Sequence, residues 1–234
     1  MNQHQVQKAY LNNFSVNNKV WIHSKTNENA CLRRTDKITT LKDFQSEDLE
    51  TYQANHIESP GINALRKLIN NNELSEADIN IIMTWSALHC IRIEKFRQQP
   101  EIKYNTQFKE LMGIEEAFAD YYRYCFVYTC NLDEFLITSD KPIIEFTVEE
   151  NILRVITLSP KKMVLFSPID DLPVHEKIKF PDMINAMHWA SALNYVFSNQ
   201  KALPIPLFKS IIESWNLVPQ FEKNTFAVRE QIVS

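Results

Sequence analysis

Apolar and polar positions follow different periods in three zones of the chain. Near the start, four apolar residues fall at helical spacing: Val6, Tyr10, Leu11 and Phe14. The runs VWIH (20–23) and ACLRR (30–34) flank a polar stretch. Apolar runs separated in this way are typical of two paired strands, so the first zone predicts a β-hairpin.

The second zone, residues 46–123, has helical periodicity throughout. Pro60-Gly61 is expected to break its first helix from its second. The longest helix is predicted from Ser75 to Gln98, because Asp78 stands three residues after Ser75 in a capping-box-like arrangement. A further helix is predicted over 105–123.

Strand character begins at residue 124. CFVYTC and FLITS are expected to be two strands joined by a turn at NLDE, and three more strands are predicted at IIEFTV, ILRVITL and KMVLFSP. A last long helix is predicted from Pro181, which suits a first helical position, to about Gln200. A short helix is expected near 207–214.

Helices gathered in the middle and strands gathered later predict an α+β fold rather than alternating βαβ units. We expect a central helical bundle packed on a mostly antiparallel sheet, with an N-terminal hairpin and a late C-terminal helix. The length of 234 residues suits one domain spanning 1–234. Two domains divided near residue 124 are the alternative.

Composition narrows the class of protein. Hydrophobic residues make up 44% of the chain and the formal net charge is -4, which indicates a soluble protein without the basic surplus of most nucleic-acid binders. The basic pairs Arg33-Arg34 and Lys161-Lys162 are too short to form a nucleic-acid stripe. An apolar signal core and a membrane-spanning stretch are both missing, so a cytoplasmic protein with no membrane contact is expected.

Glycine is scarce, since only Gly61 and Gly113 occur. Phosphate-binding loops need several glycines so that backbone amides can approach the anion. Walker, dinucleotide-binding and kinase loops are therefore excluded. The zinc-protease pattern HExxH and the hydrolase pattern GxSxG do not occur either.

Arg92 lies at the centre of an apolar stripe on the longest predicted helix. At about 100° per residue it falls between Ile81 and Trp85. A buried guanidinium keeps its proton and needs carboxylates or carbonyl oxygens around it. Arg92 therefore predicts an acidic partner elsewhere in the chain.

Asn194 falls on the apolar face of the helix predicted after Pro181, between Met183 and Met187. A buried amide also needs hydrogen-bond partners. Asp140, in a predicted turn between strands, and Glu58, before the expected helix break, are the candidate partners for Arg92 and Asn194. Such a cluster either forms a functional site or holds the fold together.

The chain resembles domain-of-unknown-function family 4238 over nearly its full length. Family members open with a motif of the form H-Y-V-P-Q-x-Y-L-R-x-F, and the matching stretch here is HQVQKAYLNNF (4–14). Five positions agree with this motif: His4, Val6, Tyr10, Leu11 and Phe14. Four positions depart from it: Gln5, Gln7, Lys8 and Asn12.

Later positions of the family pattern also have counterparts in this chain. The family carries an acidic residue, an arginine ending a long helix, an S-D-N-P turn, a P-L-S-P-like strand and a late asparagine. This chain supplies Glu58, Arg92, Ser139-Asp140-Lys141-Pro142, LSPKK (158–162) and Asn194. Lys141 replaces the usual asparagine of the turn.

The resemblance implies a bacterial accessory protein, and some family members are associated with defence against phages. The leading hypothesis is a defence effector with a hydrolase or nuclease-like site built from five residues: His4, Glu58, Arg92, Asp140 and Asn194. The acids would hold a divalent metal or act as base, the arginine would stabilise phosphoryl charge, and the histidine would move a proton. The substrate of such a site would be a nucleic acid or a nucleotide, and the sequence leaves a protein substrate open as well.

The alternative is a non-catalytic binding or regulatory module in which the same residues brace the fold. The sequence leaves the oligomeric state open.

Overall fold

The computed structural model describes residues 2–4, 6–26, 29–38, 40–42, 47–98, 122, 124–148, 150–170 and 180–215. Its helices are α1 Lys8–Leu11, α2 Glu47–Gln53, α3 Ser59–Ile69, α4 Glu76–Gln98, α5 Phe180–Ser191 and α6 Ile205–Trp215. Short 3-10 turns cover Asn12–Phe14 and Thr35–Lys37, and a π turn covers Ala54–Glu58.

The strands are β1 Asn2–His4, β2 Lys19–Ser24, β3 Ala30–Arg34, β4 Thr40–Lys42, β5 Tyr124–Thr129, β6 Thr138–Ser139, β7 Ile143–Val148, β8 Asn151–Ser159, β9 Lys162–Ser167 and β10 Tyr195–Ser198. Within the described residues, β1 pairs with β4, and two four-stranded sheets form. The first sheet has the order β3-β2-β10-β6 and the second has the order β5-β9-β8-β7. Every described pairing is antiparallel. The predicted α+β class is confirmed.

Alternate residues of the second sheet enter two different apolar clusters, because successive side chains of a strand point to opposite faces. Ile156 and Val164 join a core with residues of α1, α3 and α4. Val155 and Leu165 join a core with residues of α5. The second sheet is therefore covered on both faces, which explains why β8 is buried at six successive positions, 153–158, rather than at every second one.

The N-terminal features follow the sequence pattern closely. The helical spacing at the start of the chain becomes α1 and its 3-10 turn, and the predicted hairpin is β2 paired with β3.

At the start of α4, Asp78 Oδ2 accepts the Ser75 N–H at 2.8 Å, and Ser75 Oγ accepts the Asp78 N–H at 3.2 Å. Lys67 of α3 adds contacts at 2.7 and 2.8 Å to the same carboxylate. These partners, Lys67 first and Ser75 next, lower the pKa of Asp78 to about 2.

The predicted helix break at Pro60-Gly61 is wrong. The chain stays helical from α2 through the π turn into α3, and Pro60 lies in the first turn of α3. A proline lacks the N–H that would continue the helical hydrogen-bond ladder, and the widened π turn lies directly before it, where that hydrogen bond would form. The Pro60-Gly61 pair therefore follows a wider turn inside one continuous helical run and does not end a helix.

The predicted helix from Pro181 to about Gln200 is also wrong in its second half. It ends at Ser191, and β10 follows as an inner strand between β2 and β6. The Lys25 ammonium caps the helix end by donating to the carbonyl oxygens of Ala190 and Ala192, at 2.9 and 2.7 Å. Ladder hydrogen bonds to two neighbouring strands outweigh the helical spacing of this segment, so Asn194 lies in the bend before β10.

CFVYTC and FLITS do not form the predicted hairpin. The first run is β5, which pairs with β9 in the second sheet, whereas β6 pairs with β10 in the first sheet. The chain therefore crosses from one sheet to the other between them. The helix expected over 105–123 falls largely outside the described residues. In the part of the chain that the structure describes, no helix has the length and apolar character that a membrane crossing requires.

Gly61 lets α3 approach α4 closely. A Cβ atom built at Gly61 would lie 2.7 Å from the Cβ, Cγ and Cδ1 atoms of Trp85. Trp85 is fully buried, packs against Tyr10 at 5.3 Å between ring centroids, and donates its indole N–H to Gln7 Oε1 at 3.0 Å. Its ring is therefore held from several sides and has little room to shift.

We predict that Gly61→Ala destabilises the protein. The added methyl overpacks the helix crossing, which typically costs about 1–3 kcal/mol, and only part of this is offset by the helix preference of alanine. Urea unfolding monitored by tryptophan fluorescence measures the difference. Asn63→Ala, at an exposed position of the same helix, is the control and should change stability by no more than about 0.5 kcal/mol. A Gly61→Ala protein as stable as the wild type would contradict the close packing.

Candidate functional site

A continuous buried hydrogen-bonded chain links the two sheets. The Tyr10 hydroxyl donates to the Thr157 carbonyl oxygen of β8 at 2.6 Å. Because that phenolic proton is used, the Thr138 hydroxyl of β6 is the donor in its 3.0 Å contact with the Tyr10 oxygen. One side chain of α1 therefore contacts a strand from each sheet.

His188 of α5 continues this chain. Ser139 Oγ donates to the Lys141 carbonyl oxygen at 2.6 Å, so its single proton is not available to the imidazole. His188 Nδ1 must then carry the proton in its 3.3 Å contact with Ser139 Oγ. His188 Nε2 accepts from the Thr157 hydroxyl at 2.8 Å. The hydrogen bonds define one tautomer of a neutral ring.

The buried polar chain, defined as Tyr10, Thr138, Ser139, Thr157 and His188, is shielded from solvent at every member. Burial lowers the pKa of His188 to about 3 and raises the pKa of Tyr10 well above its ordinary value. Both groups are therefore uncharged near neutral pH. A neutral serine–histidine pair without solvent access is suited to holding elements together rather than to attacking a substrate.

Asp140 lies at the end of β6, next to this chain, and is 1% exposed. Its Oδ1 accepts the Leu193 N–H at 2.8 Å, and its Oδ2 accepts the N–H groups of Asn194 and Tyr195 at 2.8 and 3.1 Å. The Asp140 N–H in turn donates to the Tyr195 carbonyl oxygen at 3.0 Å. The structure thus brings Asp140 and Asn194 together, but through the backbone of Asn194, and the carboxylate fixes the bend between α5 and β10.

The other three predicted site residues are placed less completely. Glu58 is buried and ends the π turn before α3. His4 lies on β1 opposite Thr40, and Arg92 lies on α4. The side chains of His4 and Arg92 are outside the described part of the structure, so the convergence of all five residues stays a prediction. Among the described residues, no group of three or more His, Cys, Asp or Glu side chains is placed to hold a metal ion.

Arg154 of β8 is a buried arginine that the sequence reasoning missed. It is 1% exposed and forms an ion pair with Glu145 of β7, with Nε 2.9 Å from Glu145 Oε1. Its Nη1 donates to Ser86 Oγ of α4 at 2.6 Å, and its guanidinium carbon lies 5.5 Å from the Tyr122 ring centroid. Burial disfavours its charge, but the Glu145 carboxylate more than offsets this and raises the pKa of Arg154.

The sequence did carry a signal for this ion pair. IIEFTV and ILRVITL are predicted as strands of the sheet, and the observed register of β7 and β8 places Glu145 directly opposite Arg154. Opposite charges at such positions interact across a sheet. The helical periodicity that indicates Arg92 relates residues of one helix only, so it cannot reveal a partner on a neighbouring strand.

The basic pair Lys161-Lys162 is used within the fold. Lys161 Nζ donates to the carbonyl oxygens of Asn131, Leu132 and Glu134, which are exposed ends of a turn. Lys162 Nζ donates to the Ile69 carbonyl oxygen at the end of α3. Both lysines therefore bind carbonyl oxygens at the ends of other elements, a turn and a helix.

Together these observations define an α+β protein with an uncharged polar junction between two sheets and a separate buried ion pair. The family model described as "Protein of unknown function (DUF4238)" matches residues 2–123, and the chain belongs to this family. No curated protein and no solved structure matches the chain. Four of the five agreeing positions of the opening motif are buried core residues: Val6, Tyr10, Leu11 and Phe14. Most of the agreement with that motif is therefore explained by packing.

We predict that Glu145→Gln strongly destabilises the protein. The substitution keeps the size of the side chain but leaves the Arg154 guanidinium buried without its counter-charge, which typically costs about 3–5 kcal/mol. Chemical unfolding followed by circular dichroism measures the loss. Glu213→Gln, at an exposed position of α6, is the matched control. Equal stabilities for the two variants would contradict a buried guanidinium that depends on Glu145 for its counter-charge.

Proposed function

We propose that this chain is a bacterial, cytoplasmic anti-phage defence protein that acts as a binding or regulatory module. The defence role rests on the resemblance of the chain to its family. The non-catalytic role rests on one observation: both carboxylate oxygens of Asp140 accept backbone N–H groups of the bend before β10. A carboxylate used in this way supports a structural role for the Ser139-Asp140 turn.

The energetics favour the same role. Each of three backbone N–H groups would lose its acceptor if Asp140 turned towards a metal ion or a substrate. A hydrogen bond to a charged group contributes about 1.5–3 kcal/mol, so this rearrangement is unfavourable. The neighbouring His188 and Ser139 are uncharged and buried, which gives no activated base or nucleophile beside Asp140.

A hydrolase or nuclease centre is the second candidate, and Glu58 favours it. Its carboxylate is buried in a π turn, and such turns often occur at functional sites because they redirect side chains within a helix. In this candidate Glu58 would act with His4 and Arg92, as base or as ligand of a divalent metal, on a nucleic acid or nucleotide. Asp140 and Asn194 would then support the site from the adjoining bend.

The proposal predicts that Asp140→Asn impairs phage protection only through folding. Replacing the carboxylate should lower the free energy of unfolding by about 2–5 kcal/mol, because the amide nitrogen cannot accept the bend N–H groups. Plaque assays on cells that express each variant, run at several growth temperatures beside thermal unfolding of the purified proteins, measure both effects. Protection should return at temperatures where the variant is folded.

Asp170→Asn, which changes an exposed aspartate, is the control. A folded but inactive Asp140→Asn protein would overturn the structural role of Asp140. Loss of protection in a folded Glu58→Gln protein, with Asp140→Asn active, would replace the binding module by the hydrolase or nuclease candidate. A wild-type chain that protects against none of a broad phage panel would end the defence role itself.

A further inference from the structure

The hairpin strand β3 forms an open edge of the first sheet. It pairs with β2 on one side, and no described residue pairs with its other side. All five residues, Ala30–Arg34, are exposed, and Leu32 is 45% exposed although it is apolar. An exposed edge strand presents unpaired N–H and C=O groups that can accept another strand.

The hydrogen-bond pattern identifies which backbone groups point outward. Ser24 N–H donates to the Asn29 carbonyl oxygen, and Thr35 N–H donates to the Asn18 carbonyl oxygen, at the two ends of the β2–β3 ladder. Alternate pairs of an antiparallel ladder exchange hydrogen bonds. Cys31 and Arg33 therefore face β2, and the outward backbone groups belong to Ala30, Leu32 and Arg34.

Positive charge surrounds this edge. Arg33 and Arg34 are adjacent in β3, so their side chains lie on opposite faces of the sheet. Lys19, opposite Arg34, and Lys37, after β3, are also exposed. In the described part of the hairpin the acidic side chain is Asp36, which Arg34 contacts through Nε and Nη2 at 3.1 and 3.2 Å. The net charge of the whole chain is -4, so this basic concentration is local.

We propose that the β3 edge binds an extended, acidic segment of a partner protein, which adds to the first sheet as a further strand. Main-chain hydrogen bonds to Ala30, Leu32 and Arg34 supply affinity, and acidic side chains on both faces meet Arg33 and Arg34. An apolar side chain of the segment packs on Leu32. The inference rests on the proposed binding role and names the partner class for it.

Charge also selects among the occupants of this edge. Charged residues on an edge strand discourage pairing with like-charged strands, so the cations that repel a second copy attract an acidic segment. Single-stranded nucleic acid would need an open aromatic surface beside the cations. Trp21, on the same face as Leu32, is half-buried, and Lys201 Nζ lies over its ring at 6.0 Å from the centroid.

Fluorescence anisotropy with a labelled, end-capped peptide of repeating Glu-Glu-Val-Val, which places glutamates and valines on both faces of an extended strand, tests the proposal. The full-length wild type should bind this peptide, more weakly as salt increases, and should not bind a lysine–valine peptide or labelled oligothymidylate. Leu32→Pro should weaken binding about tenfold or more, because proline removes an outward N–H while an edge strand tolerates it. Leu32→Ala loses the same side-chain contact but keeps the N–H group, so it is the matched control and should weaken binding less than Leu32→Pro.

Charge variants give an independent readout if Leu32→Pro does not fold. Arg33→Glu should weaken binding, and Asp36→Asn should strengthen it, because Arg34 is then released from its carboxylate partner. Unchanged binding in Arg33→Glu, oligothymidylate binding at this edge, or a dimer that Leu32→Pro disrupts would each overturn the proposal. The phage assay tests the defence role separately. A chain that protects cells but does not bind the peptide would contradict only this inference, whereas a chain that protects against no phage would contradict the defence role.

Discussion

The junction between the two sheets depends on one buried imidazole that stays neutral. His188 lies between Thr157 of the second sheet and Ser139 of the first, and Tyr10 closes the other side through Thr138 and Thr157. Buried polar groups are tolerated only when their hydrogen bonds are satisfied. A proton on Nε2 of His188 would replace an acceptor by a donor facing the Thr157 hydroxyl and would place a charge in the core.

The turn next to His188 also supports the fold. Asp140 follows Ser139 directly, and its carboxylate organises the bend that leads into β10. Because β10 lies between β2 and β6, an error in this bend would displace the centre of the first sheet. Asp140 and Asn194 suggest a catalytic cluster in the sequence, but their contacts are those of a bend that supports the fold. The open basic edge at β3 is formed by other residues.

Local features were predictable from the sequence, and those that depend on distant contacts were not. The capping of α4 by Ser75 and Asp78 and the β2–β3 hairpin follow from neighbouring residues. The association of Asp140 with Asn194 was also anticipated, although through a helix that does not exist there. The end of α5 depends on Lys25, and Arg154 depends on a partner in another strand. Neither can be recognised from the periodicity of a single segment.

The protonation of His188 tests the account most directly. Its folded pKa of about 3 lies below the unfolded value of 6.5, so the unfolded chain binds more protons between these values, and stability falls as pH falls through that window. Nitrogen NMR of the labelled histidine ring, from about pH 8 down to about pH 4, measures the protonation state in the folded protein. We predict a neutral ring with its proton on Nδ1 throughout. A folded protein in which His188 becomes protonated near pH 6 would contradict the account.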